Sequence, residues 1–477
     1  MSKRPQLRLT IFCSSLFWAA FVWAAFAAGQ DGRTQHKLDS EFQSAAAQYE
    51  AGQYAQAAAQ LEDILPLAPN SFEVHELMGQ VYASLSQDTK ALEHFEAAVR
   101  LKPDSAPARE NLATVLIHMG KMEPAGEEFR KALALEPDNF DANHNLGEFY
   151  IQTEKIEDAL PLLERAEKID PSSYDNGYDL ALAEFLTGRL AAARQLAQSL
   201  VLKQNSGELH NLLGQIEEKD EKYLTAEHEF EIAAHMDPSE ENLFDWGSEL
   251  LLHRAYTPAI EVFEKAARRY PNSSRLLIGL GMALDWGGRY DEAVKALLAA
   301  ADLDPSDARC YLFLSKAYDS SLNQAQEVIE RFRRYAELQP GNALAQYYYA
   351  LSLWKGKRGG DANLDLQAVE SLLGKSIALD DTLPEVHLLL GNLHDNRNEY
   401  EKSIPEYEHA LKLNPNLADA HYRLATAYVH IGQKDQAQKE FDVYQTLRAR
   451  HLAEIDKEKA EVQQFVYSSK ADSSTTH

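Results

Sequence analysis

The sequence predicts an all-α chain, an α-solenoid of stacked helix-turn-helix repeats. Three observations carry that expectation. Prolines close successive units at Pro69, Pro103, Pro137 and Pro171, equally spaced, and resume at Pro238, Pro271, Pro305, Pro340 and Pro415. Each unit holds two runs in which apolar and small residues recur at three- and four-residue spacing, as Met78, Gly79, Tyr82 and then Ala91, Phe95, Ala98, Leu101. Glycines at 120, 188, 288 and 432 stand between paired runs, where a turn takes positive φ without strain.

Taken in chain order, residues 1–28 differ from all that follows. Lys3, Arg4 and Arg8 precede the apolar run LTIFCSSLFWAAFVWAAFAA, which closes on the small-x-small pattern Ala25-Phe26-Ala27. That layout is expected of a cleaved secretory signal, which would place the protein outside the cytoplasm, periplasmic or extracellular. The alternative is an uncleaved membrane anchor, since about 20 apolar residues can span a bilayer. Cys13 lacks the preceding small residue that a lipid-attachment signal needs. Cys310 cannot form an internal disulfide once residues 1–28 are removed, so stability rests on packing, and Cys310 itself reads as a small packing residue rather than a nucleophile.

From residue 38 to residue 444 the chain reads as about twelve units. In the stretch His75 to Pro103, Gly79 and Ala91 have almost no side chain, so the two helix axes can approach to about 8–10 Å. Tyr82 and Phe95 fill the space beside that contact. Proline then stops the second helix, and polar residues after it, Ser105, Ser273 and Asp307, are placed to cap the next one. The unit from Tyr174 to Ser206 departs from the pattern, with Glu184 at an aromatic position and Asn205 where a proline was due. The unit beginning near Ala343 carries a loop, KGKRGGDANLDL (355–366), whose basic start from Lys355 to Arg358 reads as a surface insertion or a contact for anionic lipid or an acidic partner. Residues 445–467 are expected to continue as a charged capping helix, and 468–477 to be a disordered tail.

The residues of HELMGQVY…ALEHFEAAVRLKP resemble the tetratricopeptide repeat family: a Leu-Gly-like pair, an aromatic three residues on, then Ala, a second aromatic, and a closing Pro. The pattern returns in 276–305 and 420–441. The resemblance implies a superhelix whose first helices line a concave groove that receives peptides. A second apolar stripe lies roughly 110° from the packing stripe on several first helices. Its members are Tyr178, Leu182, Phe185, Phe244, Leu251, Ile278, Met282, Trp286, Tyr347, Leu351 and Trp354. They are candidate groove residues, or else pack against the next repeat. Trp286 and Trp354 are the foremost anchors, and Asn211, Gln215 and Glu218 would make the middle of the groove wet. Toward the N-terminus the same face carries Glu73, Glu76, Asp141, His144 and Glu148, an acidic groove suited to basic partner segments, or a solvated surface.

Composition and motifs narrow the function. With 47 basic against 74 acidic residues, a net of −27, the surface repels phosphate backbones, so no nucleic-acid role is expected. The sequence has no His-Glu-x-x-His, G-x-S-x-G, P-loop or Cys-x-x-Cys, so no catalytic residues and no cofactor are assigned. His144 and Glu148 lie one turn apart, but a metal site needs further ligands, and the neighbouring repeats offer no evident set, so no metal is assigned. Some family members join such repeats to a sugar-transferring or protease domain, whereas here repeats take up the bulk of the chain. The expected function is a non-enzymatic exported scaffold that binds peptide segments or helices of partner proteins. The alternative is an accessory subunit of an envelope enzyme, or a glycan-binding protein that uses the aromatic stripe.

Overall fold

The computed structural model describes residues 32–321, 323–356 and 366–473. The proposed signal or anchor segment, 1–28, and the tail residues 474–477 lie outside them. Among the described residues there are 24 α-helices and no strand. They form twelve antiparallel pairs, numbered here as repeats 1 to 12. The chain divides into two compact units, residues 1–205, which hold repeats 1–5, and residues 206–477, which hold repeats 6–12.

Within each unit one contact recurs. The side of a first helix that carries a glycine receives a large side chain from the second helix of the same repeat. A Cβ added at Gly79 would stand 2.5 Å from the Phe95 ring; at Gly147 it would meet Leu163, at Gly214 Phe230, at Gly247 Phe263, at Gly281 Leu297 and at Gly391 Tyr407. The two residues are always sixteen apart, and the large partner is buried: Phe95 and Phe263 are at most 1% exposed. Ala113 opposite Phe129 and Ala181 opposite Ala197 are variants of this pairing, all four buried. Because interiors pack as densely as molecular crystals, the ring leaves no room for even a methyl group at the glycine.

The helix ends follow the expected chemistry. Ser105 accepts the Ala108 amide, Ser273 the Leu276 amide and Asp307 the Arg309 amide, each closing an otherwise open donor at a first-helix start. Gly120, Gly188, Gly288 and Gly432 all have φ between +73° and +80°. A second set of bonds ties first to second helix nineteen residues on: Arg109 to Glu128 (2.6 Å), His210 to Glu229 (2.5 Å), His387 to Glu406 (2.8 Å) and His421 to Glu440 (2.5 Å). Cys310 is fully buried, donates its thiol to the Asp307 carbonyl at 2.9 Å, and has its pKa pushed up to about 12 by burial, which fits a packing residue.

Two expectations about the ends and loops change. The last second helix runs without a break over Lys434–Ser473, so the repeat helix and its cap are one helix, which also takes in residues 468–473. Lys355 does not open a basic loop. It lies in the last turn of the helix Ala343–Gly356, is buried, and pairs with Asp319 of the preceding repeat. Residues 357–365, the remainder of the insertion up to Asp365, lie outside the described residues.

Gly79→Leu should lower stability by about 1–3 kcal/mol, because the side chain must displace the Phe95 ring. Gly374, in a second helix, has nothing within 4 Å of where its Cβ would be, so Gly374→Ala should be neutral or stabilising. Urea unfolding of the two variants beside the parent chain checks the contrast.

Candidate partner-binding site

First helices present to their neighbours a row of side chains separate from the glycine-bearing row. In residues 206–477 that row encloses a cavity of about 450 Å³. Its walls are Tyr347, Leu351 and Trp354 from Ala343–Gly356, Leu388 and Leu389 from Pro384–Asn396, and polar side chains from these and two flanking helices. Asp319 comes from Ala308–Ser320, and Asp419 and Arg423 from Ala418–His430. Every lining residue belongs to a first helix, of repeats 9, 10, 11 and 12 in turn. The apolar floor sits on a small core of Val369, Leu373, Val386 and Leu393. Two charge pairs are among the lining groups: Lys355 with Asp319, and Arg423 with Asp419 at 3.5 Å. Glu385 and Asp395 add two further carboxylates, and the Asp395 Oδ1 atom is buried without a hydrogen bond.

Three of the candidate groove residues, Tyr347, Leu351 and Trp354, are thus brought together, and all three remain half-buried rather than buried. Others are placed differently. Leu251 and Ile278 are 5% and 6% exposed and belong to the main core of their unit. Met282 packs against the same core, and Leu182 against that of repeats 4 and 5. Phe244 has the Arg275 guanidinium of the next repeat 3.6 Å from its ring centroid, and Arg275 also lies 3.6 Å from Asp245. Tyr178 and Phe185 are half-buried. Trp286 is 44% exposed, but it is the last residue of its helix, one position beyond the row that carries Trp354. That step of about 100° turns it to Tyr256, the first residue of the preceding second helix, edge-on at 6.3 Å. His430 stacks on Tyr400 in the same relation. Trp286 is therefore a contact between consecutive repeats, which helical spacing alone did not separate from the groove row. The expected wet middle is a closed polar cluster: buried Asn211 donates to Asn242 (3.1 Å) and Asp245 (3.0 Å) and accepts from Gln215 (2.6 Å). Glu218 lies half-buried beside it.

In residues 1–205 the same row is acidic. Glu76, Glu110, His144 and Tyr178 occupy one register in four successive first helices. The residue one position beyond that register in the next helix reaches back: Asn111 donates to Glu76, Asn145 to Glu110 at 3.3 Å, and Asp179 lies 4.0 Å from His144. Burial pushes the Glu76 carboxyl up to about 7 against its bonds from Asn111 and Gln80. It pushes Glu110 up to about 8, with Asp141 and Glu136 adding repulsion, and Glu148 up to about 7, with Asp175 adding its own. Asp141 is likewise raised by burial, and His144 lowered by it. Glu73 sits apart from this row's bonds and accepts the Ser71 hydroxyl at 2.9 Å at the helix start. The acidic row is thus largely buried rather than a solvated face. Helical spacing within one repeat did not single out Glu110 and Asp179, although counting one repeat from Glu76, or one repeat plus one from His144, reaches them.

The sequence comparisons agree with this architecture. Tetratricopeptide repeat models match residues 42–106, 106–139, 125–166, 154–216, 250–317 and 419–451, and a TPR repeat model matches 396–432. The chain belongs to the tetratricopeptide repeat family. It is 26% identical to the TPR repeat-containing protein YpiA of Bacillus subtilis, over 39% of this chain and 42% of that protein. It is 23% identical to the human protein O-mannosyl-transferase TMTC3, over 44% of this chain and 22% of that protein. The match therefore spans less than half the length of either relative. Among solved structures, a tetratricopeptide repeat protein from Parabacteroides merdae aligns with TM-score 0.42 and 16% identity, over 52% of this chain and 99% of that one. YrrB, a TPR protein with an unusual peptide-binding site, aligns with TM-score 0.35 and 18% identity, over 38% and 93%.

The raised carboxyls have a stability consequence. Unfolded, Glu76 and Glu110 return toward the ordinary 4.5, so between about pH 4.5 and 8 the folded chain holds more protons than the unfolded one. Their contribution is greatest at the acid end of that window and is lost as pH rises through it. The melting temperature should fall less from about pH 5 to about pH 8 in E76Q/E110Q than in the parent chain, as thermal unfolding across that range will show.

Proposed function

We propose that the chain is a non-catalytic scaffold that seats an extended segment of a partner protein on the first-helix face of repeats 9–12 and so organises a protein assembly. The observation that carries this reading is the cavity walled wholly by four consecutive first helices, with Tyr347, Leu351, Trp354 and Leu388 as its apolar side. Aromatic and leucine side chains give a large contact area, and a buried aromatic typically dominates the energy of such an interface. Of the polar lining groups, Asp319 and Asp419 are answered by Lys355 and Arg423, while Glu385 and Asp395 add negative charge. The fitting occupant is an apolar side chain flanked by Lys or Arg, since opposite charge among the lining groups steers and orients it. Tetratricopeptide repeats supply a stack of rigid helices on which such a face is already formed before binding, which limits the ordering cost. The reading includes export, supported by the basic start, apolar run and Ala25-Phe26-Ala27 of residues 1–28.

Peptides selected from a random phage-displayed library against the purified chain provide the probe. Trp354→Ala should weaken a selected peptide about 30-fold or more, corresponding to about 2 kcal/mol for a buried anchor. Trp286→Ala should leave its affinity unchanged. Selected peptides should carry Lys or Arg beside an apolar residue. Equal affinities in the parent chain and Trp354→Ala, with helix content intact by circular dichroism, would contradict the assignment.

A further inference from the structure

Repeats 4 and 5 hold a group of side chains that the peptide-binding reading leaves unused. His144 and Glu148 stand one turn apart on the helix Phe140–Gln152, and Asp179 comes from the helix Tyr174–Leu186. One ligand atom from each lies within 4.8 Å of the other two, and His144 Nδ1 is 4.0 Å from Asp179 Oδ2. That separation is too long for a hydrogen bond. His144 is only 4% exposed, yet its Nδ1 has no hydrogen-bond partner. A buried ring nitrogen left bare is costly, so its position beside two carboxylates asks for an occupant. The Phe140 ring stacks on the imidazole, with 5.5 Å between centroids and 15° between planes, and holds its orientation.

We propose that His144, Glu148 and Asp179 bind a first-row divalent cation of the zinc type, independently of any peptide seated on repeats 9–12. One imidazole nitrogen with two carboxylate oxygens suits Zn²⁺ or its neighbours, whereas Ca²⁺ and Mg²⁺ favour all-oxygen sets. Zinc ligands at about 2.0–2.2 Å in a tetrahedron stand about 3.4 Å apart. The present separations, up to 4.8 Å, have to close to that value when the cation binds. Asp141 and Asp175 add negative charge around the site. Three protein ligands leave a fourth position for water or for a group from a bound partner.

The test is titration of the full chain, stripped with chelator, with Zn²⁺ in competition with a chromophoric chelator, repeated with Co²⁺ to read its visible absorption. The parent chain should bind one Zn²⁺ that excess Mg²⁺ does not displace. His144→Asn, Glu148→Gln and Asp179→Asn should each weaken binding at least about tenfold and alter the Co²⁺ spectrum. His118→Asn, at an exposed histidine of repeat 3, should change neither. If His144→Asn loses helix content, the two carboxylate variants decide the matter. No Zn²⁺ bound by the parent chain, or binding indifferent to both carboxylate variants, overturns the proposal.

Discussion

The contact on which the structure rests is a large side chain of the second helix laid against a first-helix residue that has no side chain. Gly79 beneath Phe95 is the clearest instance, and Gly391 beneath Tyr407 repeats it far along the chain. Close approach of the helix axes lets each pair bury its apolar stripe, and no isolated pair can bury its outer stripes alone, so neighbours must stack. Turn glycines, closing prolines and Ser or Asp caps set the path between helices. The axial distance itself is set by the glycine.

Fixing one row of each first helix in this way leaves another row free to vary, and the two units use it differently. In residues 1–205 it carries carboxyls held by asparagines from the next repeat, whose ionisation burial opposes. Such groups add little to stability as charges, because desolvation opposes their ionised form. In residues 206–477 the row closes into a polar cluster around Asn211 and then opens into the cavity around Trp354. The same register therefore serves packing, polar locking and an open surface in different repeats.

How much of this the sequence disclosed follows from the same division. Packing residues recur at a fixed spacing, so Gly79, Ala91, Phe95 and the closing prolines announced the helix pairs and their turns. The face row has no fixed composition, so its membership had to be inferred from helical angle, and one position of error is about 100°. Tyr347, Leu351 and Trp354 line the cavity, whereas Trp286, one position further along its helix, packs on Tyr256. Leu251 and Ile278 looked equivalent to them but are covered by adjoining repeats, which spacing within one helix does not reveal. Asp179 joins His144 only because consecutive first helices lie side by side with a stagger of one residue, a relation visible once the helices are stacked.

On the proposed reading, the first-helix face of repeats 9–12 receives a partner while the second helices serve packing. Amide hydrogen exchange, with and without a saturating selected peptide, tests it most directly. Added protection is expected in the first helices of repeats 10 and 11, Ala343–Gly356 and Pro384–Asn396, with the second helix Tyr400–Leu413 unchanged. Protection confined to second helices, or to residues 1–205, would contradict it.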